Sequence, residues 1–331
     1  MKTPVSIWIL VARTDVPYML QTIPHQLKAC NYPFEERVLA VDTAPLTGDK
    51  RHRYDTGSQE ELMAACQTLI EQGVVDRIVE IDYSPSLIEE IYTKYFGAKQ
   101  ALQMLDHTHN WKGSTVYASL YCLETAKSDY YLHLDADMLL YQDPDYDWIT
   151  AAIELTNSIS EIAVIRPRCG APHPEGKVFQ SHSFTIDHRG FQTNKFFSMR
   201  AYLVRRDRFA QLAPIPLMWQ HRPLLSRHLP LFLQPVFAQV ERRLRGQHGS
   251  VKGAIASFEP MTSRKLEMTK YIRADLTSTK AWTIHPAKHD ADFITALPNL
   301  IRAIEQGKYP PGQEGHYDLI LAEWHKLLNG N

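Results

Sequence analysis

The sequence predicts an α/β fold in which a mixed, mostly parallel sheet is flanked by helices. Three observations predict it. Short, continuously apolar runs such as residues 5–12 are typical of strands that are buried on both faces of a sheet. Segments with apolar residues at helical spacing alternate with these runs. In residues 130–141 an apolar strand leads into two carboxylates, Asp135 and Asp137, as expected at the carboxyl edge of such a sheet.

Strands and helices alternate along the first 210 residues. Strands are predicted from short apolar runs over residues 5–12, 37–41, 76–81, 130–134, 162–166 and 196–205. Helices are predicted from apolar residues at helical spacing over residues 16–30, 60–72, 88–105, 116–126 and 146–158. Residues 43–59 are predicted to form an exposed loop, residues 168–194 are long and polar, and Asp207 is predicted to cap a short helix.

The chain divides into three segments of different composition. Residues 1–210 form the predicted core. Residues 211–253 are rich in Pro, Arg and His, and a helix around 233–244 has a basic and an apolar face. This insertion suits an acceptor lid, contact with a membrane surface or a second copy of the chain, or packing on the core. Residues 254–331 are predicted to complete the core with a helix over 261–272, a strand over 281–285 and C-terminal helices over 292–306 and 318–328.

The composition excludes several classes of protein. The chain has 331 residues, 44% of them hydrophobic and 22% charged, with a formal net charge of -1. Such a charge creates no overall field that would recruit nucleic acid. The four cysteines lack a C-x-x-C spacing, which favours free thiols in a reducing compartment. The apolar run near the N-terminus is too short to span a bilayer, so we expect a cytoplasmic protein, with peripheral membrane contact through residues 214–252 as the alternative.

The carboxylate pair at the end of the 130–134 strand suggests the chemistry. Asp-x-Asp occurs four times, at positions 135/137, 143/145, 145/147 and 290/292. Only the first pair follows an apolar strand, and residues i and i+2 of a strand point the same way. Paired carboxylates suit Mg²⁺ or Mn²⁺, which prefer oxygen ligands and often share them with substrate phosphates. The pattern predicts a metal–diphosphate site, and a turn without a ligand is the alternative.

With these motifs the chain resembles a GT-A fold glycosyltransferase, closest in layout to the family-2 inverting enzymes. The resemblance is carried by VSIWILVART followed by RVLAVDT, by STVYASLYCLETAKSDYYLHLDADM, and by FEPMTSRKLEMTKYIRADLTSTKAWTIHP. It covers most of residues 5–210 and, more loosely, 254–290. It does not extend to residues 214–252 or to the tail. The chain departs from the family in one respect, because Pro260 follows Glu259 where the family usually has a second acid.

The resemblance implies a metal site at the carboxylate pair. Asp137 would be the main metal ligand, and Asp135 would hold the ribose or reach the metal through water. His285 would be the third ligand, and His289 is the second candidate for that position. The alternative is that His285 is a packed histidine that binds no metal. The ion would be Mn²⁺ or Mg²⁺, acting on the diphosphate as it leaves.

Other residues are assigned to the donor and the acceptor. Asp42 would accept a hydrogen bond from the imide N–H of uracil, and Glu259 would act as the general base for the acceptor hydroxyl. Arg13 would pair with the diphosphate or form a surface salt bridge. Ser114, Thr115 and Tyr117 open the helix ahead of the metal strand, and the N–H groups of that helix could face phosphate. The histidines at positions 107, 109, 182 and 188 are predicted to be loop residues, because no zinc-ligand spacing accompanies them.

The function implied is transfer of a sugar from a nucleotide-sugar donor, with a UDP-sugar favoured, to an acceptor hydroxyl with inversion. The acceptor could be a glycan, a lipid-linked molecule, a peptide or a small molecule. A nucleotidyltransferase that makes nucleotide-sugars is an alternative, but it would need a glycine-rich basic loop where this chain has RTDVP. A relative that binds a nucleotide without turnover is the non-enzymatic alternative.

Overall fold

A computed structural model describes residues 2–53, 55–110, 112–179, 184–220 and 254–330, together with the isolated positions 230 and 233. The described chain is an α/β protein, and this confirms the predicted fold class. The helix predicted around 233–244 and the histidine at position 182 fall outside the described residues. Within the described part of the chain, no helix has the length and apolar character needed to cross a membrane.

Strands and helices alternate through most of the chain. The strands are β1 (Val5–Val11), β2 (Glu36–Val41), β3 (Arg77–Glu80), β4 (Tyr130–Asp135), β5 (Leu139–Gln142), β6 (Ile162–Arg166), β7 (Arg168–Cys169), β8 (Thr185–Asp187), β9 (Phe191–Asn194), β10 (Ala201–Arg205), β11 (Trp219–Gln220), β12 (Ala254–Ile255), β13 (Ile272–Leu276) and β14 (Ala281–Ile284). The helices are α1 (Met19–Cys30), α2 (Gln59–Glu71), α3 (Pro85–Phe96), α4 (Ala98–Ala101), α5 (Tyr117–Thr125), α6 (Trp148–Ser158), α7 (Arg206–Ala210), α8 (Phe258–Glu267), α9 (Ala291–Glu305) and α10 (Leu321–Leu328).

The central sheet has nine strands in the order β3-β2-β1-β4-β10-β6-β13-β9-β8. β1 pairs in parallel with both β2 and β4, and Leu10 lies opposite Asp135. From β1 the chain moves outward through β2 and β3, and it then returns to the other side of β1 through β4. Such a reversal leaves a crevice outside the carboxyl ends of the two central strands, where ligands bind in open α/β sheets.

Both faces of the sheet are covered, and this accounts for the apolar run of β1. Ile7, Ile9 and Val11 join a core that includes residues of α1, α2 and α9. On the opposite face, Trp8 joins a core that includes residues of α3, α5 and α8. Burial of apolar surface stabilises the fold by roughly 25 cal/mol per Å². Since β1 buries side chains on both of its faces, packing holds the strand, and with it the position of its carboxyl end.

A second sheet, in the order β5-β14-β7, links the exit of β4 to the C-terminal part of the chain. β14 pairs with β5 in an antiparallel register that places Ile284 opposite Leu139. His285 follows β14 directly, and Asp137 lies two positions before the first residue of β5. The pairing therefore brings His285 to the turn that contains Asp137.

Two stretches differ from the sequence prediction because their strands carry polar residues. The segment 168–194 contributes β7, β8 and β9, and Gln192 and Asn194 of β9 are buried beside β13. The helix predicted over 261–272 lies at Phe258–Glu267 and is followed by β13, in which buried Arg273 and Asp275 form an ion pair. Pairing of polar groups inside the sheet replaces the apolar pattern from which strands are predicted.

Two helix predictions also need correction. The segment predicted as mainly helical over 88–105, with a bend near Gly97, divides there into α3 and the short α4, because Gly97 has a positive φ of 81° and breaks the helical path. The helix ends at Ala101, before the predicted end. Asp207 lies inside α7, whose N-cap is Arg205, and its carboxylate pairs with that arginine. The loop predicted over 43–59 contains a 3-10 turn at Gly48–His52.

Candidate functional site

A cavity of about 540 Å³ opens at the carboxyl ends of β1 and β4. Its walls come from the end of β1, the turn after β4, the start of α8 and the segment after β14. Loop residues between β2 and α2 and between α4 and α5 close the other side. The cavity therefore occupies the crevice that the reversal of strand order creates.

Asp137 lies in the turn after β4 and is 8% exposed. Its Oδ2 is 2.8 Å from Nε2 of His289 and 3.6 Å from Nε2 of His285. Its Oδ1 is buried and has no hydrogen-bond partner in the described structure. Burial raises the pKa of this carboxyl, but attraction to His285 and the hydrogen bond with His289 together bring the pKa below its ordinary value. Asp137 is thus an ionised carboxylate with one unsatisfied oxygen.

Both candidate histidines lie beside Asp137, and other side chains orient them. Nδ1 of His285 is 3.3 Å from Oδ1 of Asp318, which leaves Nε2 directed to Asp137. The ring of His289 stacks on Tyr18 with a centroid distance of 4.9 Å. A carboxylate behind an imidazole is the usual arrangement around a metal-ligating histidine. The sequence favoured His285 as the ligand, with His289 as the second candidate, and the fold places both beside Asp137.

Asp135 lines the same cavity in a more open environment. Its side chain is 39% exposed, and Oδ1 is 3.0 Å from Nε2 of buried His133. β4 ends at Asp135, so Asp137 belongs to the turn and the strand alternation used in the prediction does not orient it. The turn is held by Gln26, whose amide donates to the backbone carbonyls of Asp135 and Met138.

The donor set around Asp137 fits a divalent ion that shares its ligands with phosphate. Asp137 offers an unsatisfied carboxylate oxygen, and His285 and His289 offer imidazole nitrogens next to it. In the described part of the chain, no group of three or more His, Cys, Asp or Glu side chains is arranged to hold a metal ion by itself. Since Mg²⁺ and Mn²⁺ commonly complete their coordination with substrate phosphates, these residues suit an ion that arrives with a diphosphate.

Asp42 directly follows β2 and lines the same cavity. Its Oδ1 accepts hydrogen bonds from the Tyr83 hydroxyl and the Ala44 N–H, and its Oδ2 is 2.9 Å from Nε2 of His109. Burial raises the pKa of Asp42, but the contacts with His109 and Tyr83 hold it below the ordinary value. His109 therefore supports the cavity wall and is more than the ordinary loop residue that the sequence suggested.

The cavity is also lined by four cationic side chains, Lys50, Arg53, Lys112 and Arg200. The first two come from the loop predicted to be simply exposed. Arg13, the cation named from the sequence, is not among the lining residues, because its Nε donates to the carbonyl of Gly57 at 2.8 Å. The fold thus supplies positive charge to the cavity from residues other than the one expected.

The helix start ahead of β4 contributes less than predicted. Oγ1 of Thr115 accepts a hydrogen bond from the Ala118 N–H, and the Tyr117 hydroxyl donates to the carbonyl of Asp82. Both side chains are buried and neither lines the cavity. Ser114, one residue earlier, does line it.

Glu259 lies in the first turn of α8 and lines the same cavity as Asp137. Its Oε1 accepts a hydrogen bond from the Met199 N–H at 2.9 Å. Pro260 fits at this point, because the first turn of a helix tolerates a residue without an N–H. Glu259 also lines a second cavity of about 290 Å³, so this carboxylate stands where two cavities meet.

Asp15 and Tyr18 are cavity residues that the sequence did not single out. Asp15 accepts hydrogen bonds from the Ala12 N–H and the Tyr18 hydroxyl. Burial raises the pKa of Asp15, and nearby Lys50 only partly opposes that effect. The polar turn directly after β1 is the one sequence signal that pointed to this position.

Neither a family model nor a curated protein sequence matches this chain. Among solved structures, one similar chain is described as "Crystal structure of GalNAc-T7 with UDP, GalNAc and Mn2+", with a TM-score of 0.45 and 10% identity over 86% of this chain and 44% of that one. Another is "Mannosyltransferase PcManGT from Pyrobaculum calidifontis in complex with GDP-Man and Mn2+", with a TM-score of 0.36 and 13% identity over 65% of this chain and 48% of that one. The chain therefore spans about half the length of either. Its activity is consequently inferred from its own cavity.

Proposed function

We propose that this chain is a metal-dependent glycosyltransferase that moves a sugar from a nucleotide-sugar donor to an acceptor hydroxyl. The observation that supports this most directly is the cavity in which ionised Asp137, with one unsatisfied oxygen, stands beside two imidazoles. A buried charge without enough partners is unfavourable unless a ligand completes its coordination. A divalent ion with a diphosphate is a ligand of that kind.

The donor lies across the ends of β2, β1 and β4. Asp42 follows β2 and Asp137 follows β4, so two inter-strand spacings, roughly 10 Å, separate the strand ends. The nucleobase contacts Asp42, whose carboxylate has one acceptor position left after three hydrogen bonds. An acceptor there suits the imide N–H of uracil, and this supports a UDP-sugar as the donor.

Positive charge near the diphosphate assists its departure. Asp137, His285 and His289 would hold the ion, with Asp135 next to them. When bound, a divalent ion stabilises the charge that develops on the leaving oxygens. The cations Lys50, Arg53, Lys112 and Arg200 add fixed positive charge in the same cavity.

Glu259 takes the proton of the acceptor hydroxyl. Its Oε1 is fixed by the Met199 N–H, so the carboxylate is oriented before the acceptor arrives. The hydroxyl oxygen attacks C1 of the sugar from the side opposite the diphosphate, and the configuration inverts. A positioned general base contributes roughly 10²–10⁴-fold to such a step.

The proposal is tested by calorimetric titration of UDP, GDP, CDP and dTDP into the full chain, with Mn²⁺ and then with a chelator. We expect one nucleoside diphosphate to bind only when the metal is present, and the matching monophosphate to bind much more weakly. If none of the four binds in the presence of Mn²⁺, the proposal is wrong. Binding without transfer from the matching nucleotide-sugars to water or to any sugar would instead favour the non-catalytic alternative.

A further inference from the structure

A second cavity, of about 290 Å³, adjoins the first. Arg200 and Glu259 line both cavities. The second one extends from these residues toward β6, whose last residue, Arg166, also lines it. A molecule that fills this cavity therefore reaches Glu259, the residue proposed as the general base.

In the described part of the chain, Arg166 is a buried cation that makes no ion pair with a carboxylate. It is 2% exposed. Its Nη2 donates to the Tyr317 hydroxyl at 2.7 Å, and its Nε has no hydrogen-bond partner in the described structure. The carboxylate of Asp275 attracts Arg166 electrostatically, but both of its oxygens accept hydrogen bonds from Arg273.

Two other neighbours of Arg166, Tyr317 and Cys169, are neutral. Burial raises the pKa of Tyr317 to about 12 and that of Cys169 to about 11, so neither group carries negative charge near pH 7. The two carboxylates that line the cavity are engaged elsewhere, since Asp318 pairs with Arg200 and contacts His285, and Glu259 accepts the Met199 N–H. A buried guanidinium that no anion contacts directly is unfavourable, and an anion that enters the cavity stabilises it.

The walls suit a ring as well as an anion. The Tyr317 ring lies against two guanidinium groups, 5.1 Å from that of Arg166 and 5.7 Å from that of Arg200. Phe179 and His316 stack on each other at 4.6 Å on another side of the cavity. Aromatic faces with a few placed polar groups are typical of small-molecule sites.

We propose that this cavity is the acceptor subsite and that it selects an acceptor bearing a carboxylate or a phosphate, which Arg166 binds. The inference rests on the proposed function, because it uses Glu259 as the base. With the anion held by Arg166, a hydroxyl of the acceptor faces Glu259. Its oxygen forms the bond to C1, the bond from C1 to the diphosphate breaks with its electron pair on the diphosphate, and the proton passes to Glu259.

The test compares three probes that share one ring: glucose, glucuronate and glucose 6-phosphate. Each is titrated calorimetrically into the full chain, first without nucleotide and then with Mn²⁺ and UDP. We expect at least one of the two anionic probes to bind roughly 10-fold or more tightly than glucose, because charge-assisted hydrogen bonds are the strong ones. The two anionic probes show whether a carboxylate or a phosphate is preferred.

Variants assign the preference to one side chain. Arg166→Gln should remove the preference for the anionic probes over glucose. Arg166→Lys should retain part of this preference, because the positive charge stays while the planar guanidinium is lost. Arg168→Gln is the matched control: Arg168 is also buried with unpartnered nitrogens, but it does not line the cavity. The preference of Arg168→Gln for the anionic probes should equal that of the wild type. Urea unfolding checks that each variant is folded.

Equal binding of all three probes to the wild type overturns the inference, as does a preference that survives in Arg166→Gln. If that variant does not fold, the wild-type comparison and Arg166→Lys still decide. Nucleoside diphosphate binding is measured separately and should not change in Arg166→Gln. Loss of all nucleotide binding in the wild type would refute the proposed function, while the titrations without nucleotide would still decide whether the anion site exists.

Discussion

Replacing Asp137 by asparagine separates the charge of this side chain from its shape. In the folded protein, the Asn oxygen can still accept the hydrogen bond that His289 makes at 2.8 Å. A hydrogen bond to a charged group contributes about 1.5–3 kcal/mol and a neutral one about 0.5–1.5 kcal/mol. The variant should therefore lose only about 1 kcal/mol of folding free energy and remain folded.

Metal-dependent binding should suffer far more than stability. Loss of a group that only orients a metal ligand costs roughly 10–100-fold in metal affinity. Asp137 carries the unsatisfied oxygen itself, so we expect the Mn²⁺-dependent affinity for nucleoside diphosphate to fall at least about 100-fold, or about 2.8 kcal/mol. Calorimetric titration with Mn²⁺ and with chelator measures this difference directly.

Asp145→Asn provides the control within the same motif type. Asp145 is exposed, and its N–H donates to Asp143 in a surface turn. Its substitution should leave metal-dependent binding unchanged. Unaltered Mn²⁺ dependence in Asp137→Asn, or an equal loss in both variants, would refute the assignment of Asp137 as a ligand.

Three further outcomes are expected. Glu259→Gln should bind the nucleoside diphosphate as the wild type does while turnover falls roughly 10²–10⁴-fold, and unchanged turnover in a donor-consumption assay would exclude it as the base. Asp318→Asn should weaken Mn²⁺ binding by about 10-fold, the low end for a residue that orients a metal-ligating histidine, because its side chain is 63% exposed; an unchanged metal titration would contradict this. Glu36 is 3% exposed and accepts hydrogen bonds from the Lys127 N–H and the Arg77 guanidinium. Burial raises its pKa, but these bonds bring it below the ordinary value. A lowered folded pKa gives stability that is present above the unfolded value of about 4.3 and is lost as the pH falls through the folded pKa. The difference in urea stability between the wild type and Glu36→Gln, about 1–3 kcal/mol at pH 7, should therefore shrink below about pH 4, and a constant difference would be evidence against this account.

The strands that could be predicted are those that are buried on both faces, because their apolar residues are consecutive in the sequence. β1 and β4 are covered on both faces, so their runs are continuously apolar and easily detected. β9 and β13 are also inside the sheet, but they contain buried Gln192, Asn194, Arg273 and Asp275, and the last three pair with one another. Such pairing satisfies polar groups in the interior and removes the hydrophobic signal.

The sequence limited the candidate partners of Asp137 to a few histidines, but it could not show which side chains lie beside it. His289 is 152 positions away from it, and the approach depends on the pairing of β14 with β5. Asp318 reaches His285 from a further segment, and no local pattern marks it. Lys50 lies in a charged segment of the sequence and lines the cavity. A charged segment that lines a cavity has the same composition as one on a solvated surface, so the sequence did not distinguish Lys50.

The four Asp-x-Asp pairs show what distinguishes a candidate site from a turn. Asp147 accepts the Thr150 N–H at the start of α6, and Asp290 accepts the Phe293 N–H at the start of α9. Asp143 accepts an N–H within its own turn. In each case the nearby backbone supplies the donor that the carboxylate needs. Asp137 instead follows a strand whose backbone is already paired, and one of its oxygens is left without a donor. The physical mark of the site is therefore a carboxylate that the local chain does not satisfy, and only the fold reveals it.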